Sequence, residues 1–272
     1  MSELPENPGN TAAVQDPWQK LRDLTRARIG LGRTGDAQTT RDVLGFQAAH
    51  AMARDAVHKP LDLDRLSRAL APATPFIVSS AATDRTIYLS RPDLGRSLAP
   101  ESRARLPRGD WDLAFVLADG LSAQAVTQQG PPLFHACRQA LPTWRIAPPV
   151  VAQQGRVAIG DDIAGALGAR MVAVLIGERP GLSVPDSMGV YLTYHPAPGC
   201  PDSRRNCLSN IHAHGLGIDE ACAKLVWLMR EAQKLKLTGV GLKERAPGLA
   251  ALGNPDTPPA TVAAPLKEED TR

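Results

Sequence analysis

Residues 171–176 read Met-Val-Ala-Val-Leu-Ile, and residues 177–182 follow as Gly-Glu-Arg-Pro-Gly-Leu. Six consecutive apolar residues, mostly branched and bounded by punctuation, suit a strand buried on both faces. The break after Ile176 is abrupt. Pro180 has no N–H for a ladder, and Gly177 and Gly181 permit turns that other residues resist. In open α/β sheets, ligands gather at the loops beyond the carboxyl ends of the strands. The carboxylate of Glu178 and the guanidinium of Arg179 therefore fall where a ligand is expected. An ordinary strand exit with a surface Glu and Arg is the other reading these residues allow.

The same alternation extends outward from this strand. Upstream, Asp161 and Asp162 are expected to cap a helix over 163–167, which Gly168 stops. Trp144 to Val151 carries two prolines and leads into an edge strand. Asp112 to Leu117 is a strand ending in Ala118-Asp119-Gly120-Leu121-Ser122. One helix starts at Ser122 and another spans 133–141, with Gly130-Pro131-Pro132 between them. Asp119 and Ser122 sit where an anion or polar ligand could meet free N–H groups; helix capping explains them equally well. Residues 76–78 and 86–89 read as further strands. Downstream, Val190 to Tyr194 reads as a half-buried strand and Cys200 to His214 as polar and irregular. Asp219 then caps a long helix whose apolar face is Ile218, Ala221, Cys222, Leu225, Met229, Ala232 and Leu235. This order of elements predicts an α/β fold, a Rossmann-like sheet packed between helices.

The first seventy residues read differently. Helices are predicted over 18–29, 41–58 and 61–70, forming a smaller N-terminal helical lobe, with Thr39 and Thr40 as candidate caps. Between the first two lies Gly30-Leu31-Gly32-Arg33-Thr34-Gly35, which matches G-x-G-x-x-G. A dinucleotide fingerprint needs a strand before it and a helix opening within it. A helix precedes this one, so it reads as a connector. The chain divides into a disordered N-terminus (1–16), the helical lobe (17–74), the α/β domain (75–242) and a Pro/Ala-rich disordered tail (243–272).

Composition narrows the function. Hydrophobic residues are 43% of the 272 and aromatics only 4%, so aliphatic and alanine side chains must fill the core. The formal charge of +3 is small, with arginines mixed among acids, which is no nucleic-acid footprint. The four cysteines have neither C-x-x-C nor zinc-ligand spacing, as expected for a reduced, intracellular protein. No apolar run approaches the ~20 residues of a membrane span. His50 and His58 lack an acidic partner and read as solvated or hydrogen-bonded. Neither a Ser-His-Asp arrangement, nor H-E-x-x-H, nor a P-loop is evident.

Six motifs nevertheless occur in an order that is informative. They are A-R-I-G-L-G-R-T-G with T-R-D-V-L-G-F-Q-A-A-H, L-S-R-P-D-L-G-R at 89–96, A-D-G-L-S-A-Q-A-V at 118–126, G-R-V-A-I-G-D-D-I-A, I-G-E-R-P-G-L-S and C-L-S-N-I-H. In this order the chain resembles the small subunit of ethanolamine ammonia-lyase from about Arg22 to Lys236. The resemblance implies one subunit of an adenosylcobalamin-dependent lyase that converts ethanolamine to acetaldehyde and ammonia. It also implies a partner, the large subunit, with a TIM-barrel domain that binds ethanolamine. Cobalamin is then expected between the subunits of a hetero-oligomer. Such radical chemistry belongs to the cofactor, while protein supplies position, shielding and electrostatics. That accords with a chain lacking a nucleophile. Val157, Glu178 and Cys207 match the family's cobalamin-contacting positions, with Glu178 accepting from corrin amides and Cys207 no cobalt ligand. Relatives working in a bacterial microcompartment carry an amphipathic N-terminal helix. Residues 1–16 have no amphipathic stripe and two prolines, so the expectation is a cytoplasmic location, with a bacterial microcompartment as the open alternative. The alternative reading is a stand-alone α/β module binding a nucleotide or anion at the Asp119 and Glu178 loops.

Overall fold

The computed structural model of the chain describes residues 18–25 and 27–243. The disorder expected at 1–16, and the tail expectation beyond 243, lie outside the described residues.

A six-stranded mixed sheet carries the fold, in the order β3-β5-β4-β6-β7-β8. Here β3 is Phe76–Ser79, β4 Trp111–Ala118, β5 Val150–Gln153, β6 Ala169–Gly177, β7 Met188–Tyr194 and β8 Arg205–Ile211. The first four in that order are parallel, and β7 and β8 are antiparallel additions at one side. The two short strands β1 (Arg33–Thr34) and β2 (Ala37–Gln38) pair only with each other, so the glycine-rich connector folds into a small hairpin.

The 171–176 stretch is the middle of β6, paired with β4 in register from Leu113↔Met171 to Ala118↔Ile176. Its six side chains divide by parity. Met171, Ala173 and Leu175 pack in one core with α6 (Ala123–Ala140) and α8 (Ile218–Leu235). Val172, Val174 and Ile176 pack in a second core with α7 (Ile159–Leu167). Both parities are apolar because both faces are covered. Each such side chain is worth about 1.5–3 kcal/mol on burial. β4 repeats the pattern, and its Phe115 meets Phe134 of α6 edge-on at 5.4 Å between centroids. The expected α/β sheet packed between helices is therefore what forms.

Several local expectations are corrected. Residues 86–89 are not a strand but part of α4 (Arg85–Ser90), started by Asp84, whose carboxylate accepts from the Ile87 N–H at 2.9 Å. A four-residue apolar run does not tell strand from helix. α6 is one helix, running through Pro131 and Pro132. Those prolines forfeit two ladder bonds, but eight of the helix's residues are buried, and tertiary packing outweighs the loss. β5 is no edge strand; it lies between β3 and β4. α7 begins at Ile159, so Asp161 and Asp162 lie in its first turn instead of capping it. Gly168 does end it, at φ 77°. The polar 205–211 run is the edge strand β8, where one exposed side tolerates polar residues. β7 is mostly buried instead of half-buried: Met188, Val190, Leu192 and Tyr194 pack in the core with α6 and α8, and Thr193 on the other face accepts from Arg205 at 3.0 Å. The first helix spans only Gln19–Leu24 (α1), and the cap of α8 is Gly217 with Asp219 in its first turn. α2 (Thr40–His58) starts at Thr39, as expected, and Leu66 of α3 (Leu63–Ala69) joins the core on the α6 side.

Candidate functional site

The parallel strands end at Ser79, Ala118, Gln153 and Gly177, and their loops meet at one edge of the sheet. Two glycines let the loops after β4 and β6 touch. A Cβ on Gly120, which has φ +54°, would lie 2.3 Å from the Gly177 carbonyl oxygen. A Cβ on Gly177 would lie 2.1 Å from the Ser122 carbonyl oxygen. The Leu121 N–H donates to the Gly177 oxygen at 3.0 Å, and the Ser122 hydroxyl donates to the Pro185 carbonyl at 2.8 Å. Ser122 also accepts from the Ala125 N–H as the cap of α6. Capping thus accounts for it.

Asp119 fastens this edge from inside. It is buried, and its carboxylate accepts from the N–H groups of Gln154 (2.9 Å) and Gly155 (3.0 Å). Arg85 lies 3.4 Å away. Burial pushes its carboxyl above the usual range against the pull of these donors. Asp119 therefore joins the loops after β4 and β5, and it faces inward instead of offering an anion site.

A cleft of about 410 Å³ opens on this edge, with Val157, Glu178, Tyr88, Arg156, Arg179 and Tyr191 among its walls. Val157 comes from the loop after β5, and Glu178 directly follows β6. Glu178 is half-buried and takes part in none of the ion pairs among the described residues. Its Oε2 accepts a short bond from the Ser187 hydroxyl, and both oxygens lie 3.4 Å from the Asn210 N–H. A carboxylate has about four acceptor sites, so capacity remains. Cys207 is on β8, exposed at the surface and directly opposite Tyr191 of β7. Its thiol is held above the ordinary range by desolvation and by the Glu178 charge, against a hydrogen bond with Tyr191. Burial first, then Cys207, pushes the Tyr191 phenol up to about 12. Val157 and Glu178 thus face the cleft directly, and Cys207 stands behind its Tyr191 wall.

Sequence reasoning named Arg179 but missed Tyr88, Arg156 and Tyr191 of this wall. Tyr88 is fully buried, and its hydroxyl donates to the Gly155 carbonyl at 3.0 Å. Arg85 and Arg156 lie against its ring, 4.7 and 4.3 Å from the centroid. The only signal was positional: Arg156 follows Gly155 just past a strand end. A second cavity, of about 310 Å³ and lined by Trp111, Phe134 and Arg138, lies at the opposite edge. Among the described residues no group of three or more His, Cys, Asp or Glu is placed to hold a metal, and no helix is long and apolar enough to cross a membrane.

Comparison with known proteins agrees with the motif order. The family model for the ethanolamine ammonia-lyase light chain matches residues 15–243. The chain is similar to the ethanolamine ammonia-lyase small subunit of Azotobacter vinelandii, 49% identical over 246 residues, covering 86% of this chain and 90% of that one. Its identity to the Ralstonia nicotianae small subunit is 51% over 244 residues, with 86% and 90% covered. With that of Pseudomonas fluorescens it is 50% over 242 residues, with 85% and 88% covered. Matches of this length and identity leave one assignment: the chain belongs to the ethanolamine ammonia-lyase light-chain family, and so is a subunit of a carbon–nitrogen lyase that works with a partner subunit.

Proposed function

We propose that this subunit helps to hold adenosylcobalamin, with the cleft at the carboxyl edge of the sheet as its share of the site. The remaining share falls to the large subunit, with its TIM barrel and its ethanolamine. The observation that carries this reading is convergence. Val157 and Glu178 come from different loops and line one cleft, and Cys207 of β8 lies opposite Tyr191, which lines it too. The donor set suits the group. A corrin is fringed with amides, and Glu178 is a half-buried acceptor with capacity to spare beside the apolar wall of Val157. Gly189 keeps that acceptor in place, since a Cβ there would lie 2.9 Å from Glu178 Oε1. Clefts that bury a drug-sized ligand hold roughly 300–1,000 Å³. At about 410 Å³, this one covers only part of a molecule as large as cobalamin, which is what a shared site requires.

When bound, adenosylcobalamin supplies the radical by homolysis of its cobalt–carbon bond. This chain's residues bind and shield. Glu178 accepts from amide N–H groups, Val157 offers apolar contact, and Tyr191 backed by Cys207 closes the wall. Cys207 stays a thiol because its environment disfavours the thiolate.

The test is a titration of the assembled two-subunit complex with hydroxocobalamin. Glu178→Ala removes a charge-assisted hydrogen bond worth about 1.5–3 kcal/mol, or roughly ten- to a hundred-fold in affinity. Glu178→Gln keeps the shape and loses the charge, so an intermediate loss is expected. The thermal melt of the cobalamin-free complex should not change. Unchanged affinity in Glu178→Ala would remove this residue from the site.

A further inference from the structure

Arg156 is held on the cleft wall by contacts that leave its charge unanswered. Its main-chain N–H donates to the Gly95 carbonyl at 2.7 Å. Its stem runs over Gly95, where a Cβ would come within 2.9 Å of Arg156 Cγ. Its guanidinium lies 4.3 Å from the centre of the Tyr88 ring. The nearest hydrogen bond, from Nη2 to the Tyr88 carbonyl, is long at 3.5 Å. Its Nε is buried without a hydrogen-bond partner. No carboxylate answers it in the ion pairs among the described residues. Its neighbour Arg85, by contrast, shares the same ring and is paired with Asp119.

A guanidinium that only covered surface would swing to water or to an acid. This one is clamped by a ring, a glycine and its own backbone, and it lines the cleft with Glu178. An arginine that is stacked and pre-oriented loses little freedom when it donates. The two walls are complementary in kind, since Glu178 only accepts and Arg156 only donates. A ligand edge carrying both N–H donors and oxygen acceptors would use both walls.

We propose that Arg156 is a further cofactor-contacting residue of this cleft, donating from its guanidinium to an oxygen acceptor of the bound cobalamin. This rests on the cobalamin reading above. The acceptor is an amide carbonyl of the corrin or the phosphate of the nucleotide loop. Both are oxygen acceptors, and they can be told apart because cobinamide keeps the amides and lacks the loop.

The experiment titrates the wild-type complex, Arg156→Met, Arg156→Lys and Glu178→Ala with hydroxocobalamin and with dicyanocobinamide, alongside thermal melts without ligand. Arg156→Met keeps the stem over Gly95 and removes every donor. Its hydroxocobalamin affinity should fall roughly ten-fold or more, the scale of a lost charge-assisted bond. Arg156→Lys keeps the charge without the flat fork, and an intermediate loss is expected. An equal loss for cobinamide assigns the amide carbonyl; a loss confined to hydroxocobalamin assigns the phosphate. If Arg156→Met binds both ligands like wild type while Glu178→Ala is weakened, this inference falls and the cleft reading stands. If neither variant changes affinity, the cleft reading falls as well. A lowered melting temperature with unchanged affinity means that Arg156 is structural, and it also overturns the inference.

Discussion

Two cases separate structural from binding roles most sharply. Arg205 and Asp161 are both buried, with side chains 1% and 2% exposed. The guanidinium meets the carboxylate through two bonds of 2.8 and 2.7 Å and also donates to Thr193, Cys200 and Asp202. Every direction of the fork is used. Arg205→Met should destabilise the chain by about 3–5 kcal/mol, because a buried carboxylate loses its counter-charge. Adding Asp161→Leu should recover part of that loss. Urea unfolding of the three variants checks both statements, and equal midpoints for single and double variants would contradict them. Cys207 makes the second case. Its thiol is held above the ordinary value, by desolvation first and then by Glu178, so less thiolate is present at pH 8 than for a free cysteine. Iodoacetamide should label Cys207 of the separate small subunit more slowly than a free thiol. The rate should still be climbing above pH 9, read by mass spectrometry. Labelling at the free-thiol rate would show that neither effect operates.

At the scale of elements, α7 positions one wall of the cleft. It packs on β6 through Gly160, where a Cβ would lie 2.3 Å from Val174 Cγ2. The loop leading into α7 carries Val157. Gly→Ala within a helix ordinarily gains up to about 1 kcal/mol. Here the clash is with a side chain in the packed interior, and overpacking costs about 1–3 kcal/mol. Gly160→Ala should therefore lower stability in urea and weaken cobalamin binding by moving Val157. A gain in stability would mean that α7 slides without cost. Secondary structure along this part of the chain was only partly legible. Gly168 announces the end of α7 in the sequence. Its start does not show, because Asp161 at that start pairs with a residue 44 positions away. The 86–89 run reads as a strand, yet is helical, for a related reason. Tyr88 is apolar in pattern, but it is buried under Gly155 and Arg156, contacts that local periodicity does not contain.

At the scale of the whole molecule, the chain is one subunit of a carbon–nitrogen lyase that works with a partner subunit. Among the described residues, the sheet-edge histidine His212 is occupied by Asn210 and the His214 N–H, and Asp119 is held by backbone donors. Neither is free to serve as a base. The isolated subunit given ethanolamine and adenosylcobalamin should show no turnover, and adding the large subunit should restore it. Acetaldehyde formation by this chain alone would refute that division of labour.

The sequence by itself determined the sheet, its principal strand and the family. Those signals are local or collinear: apolar runs at both parities, glycines at strand ends and six motifs in order. It also named Glu178 from its place at a strand end, and Val157 and Cys207 through the resemblance alone. Tertiary structure decided that Val157 and Glu178 line one cleft with Cys207 behind its Tyr191 wall, that Asp119 faces inward, and that Tyr88 and Arg156 complete the wall. It also decided that β5 is internal and that α6 survives two prolines. Each of those outcomes depends on contacts between distant residues, such as Asp119 with Gln154 and Gly177 with Ser122. Strand order and side-chain burial create such contacts. A linear pattern records which residues could turn inward, and only the folded sheet determines what each of them meets.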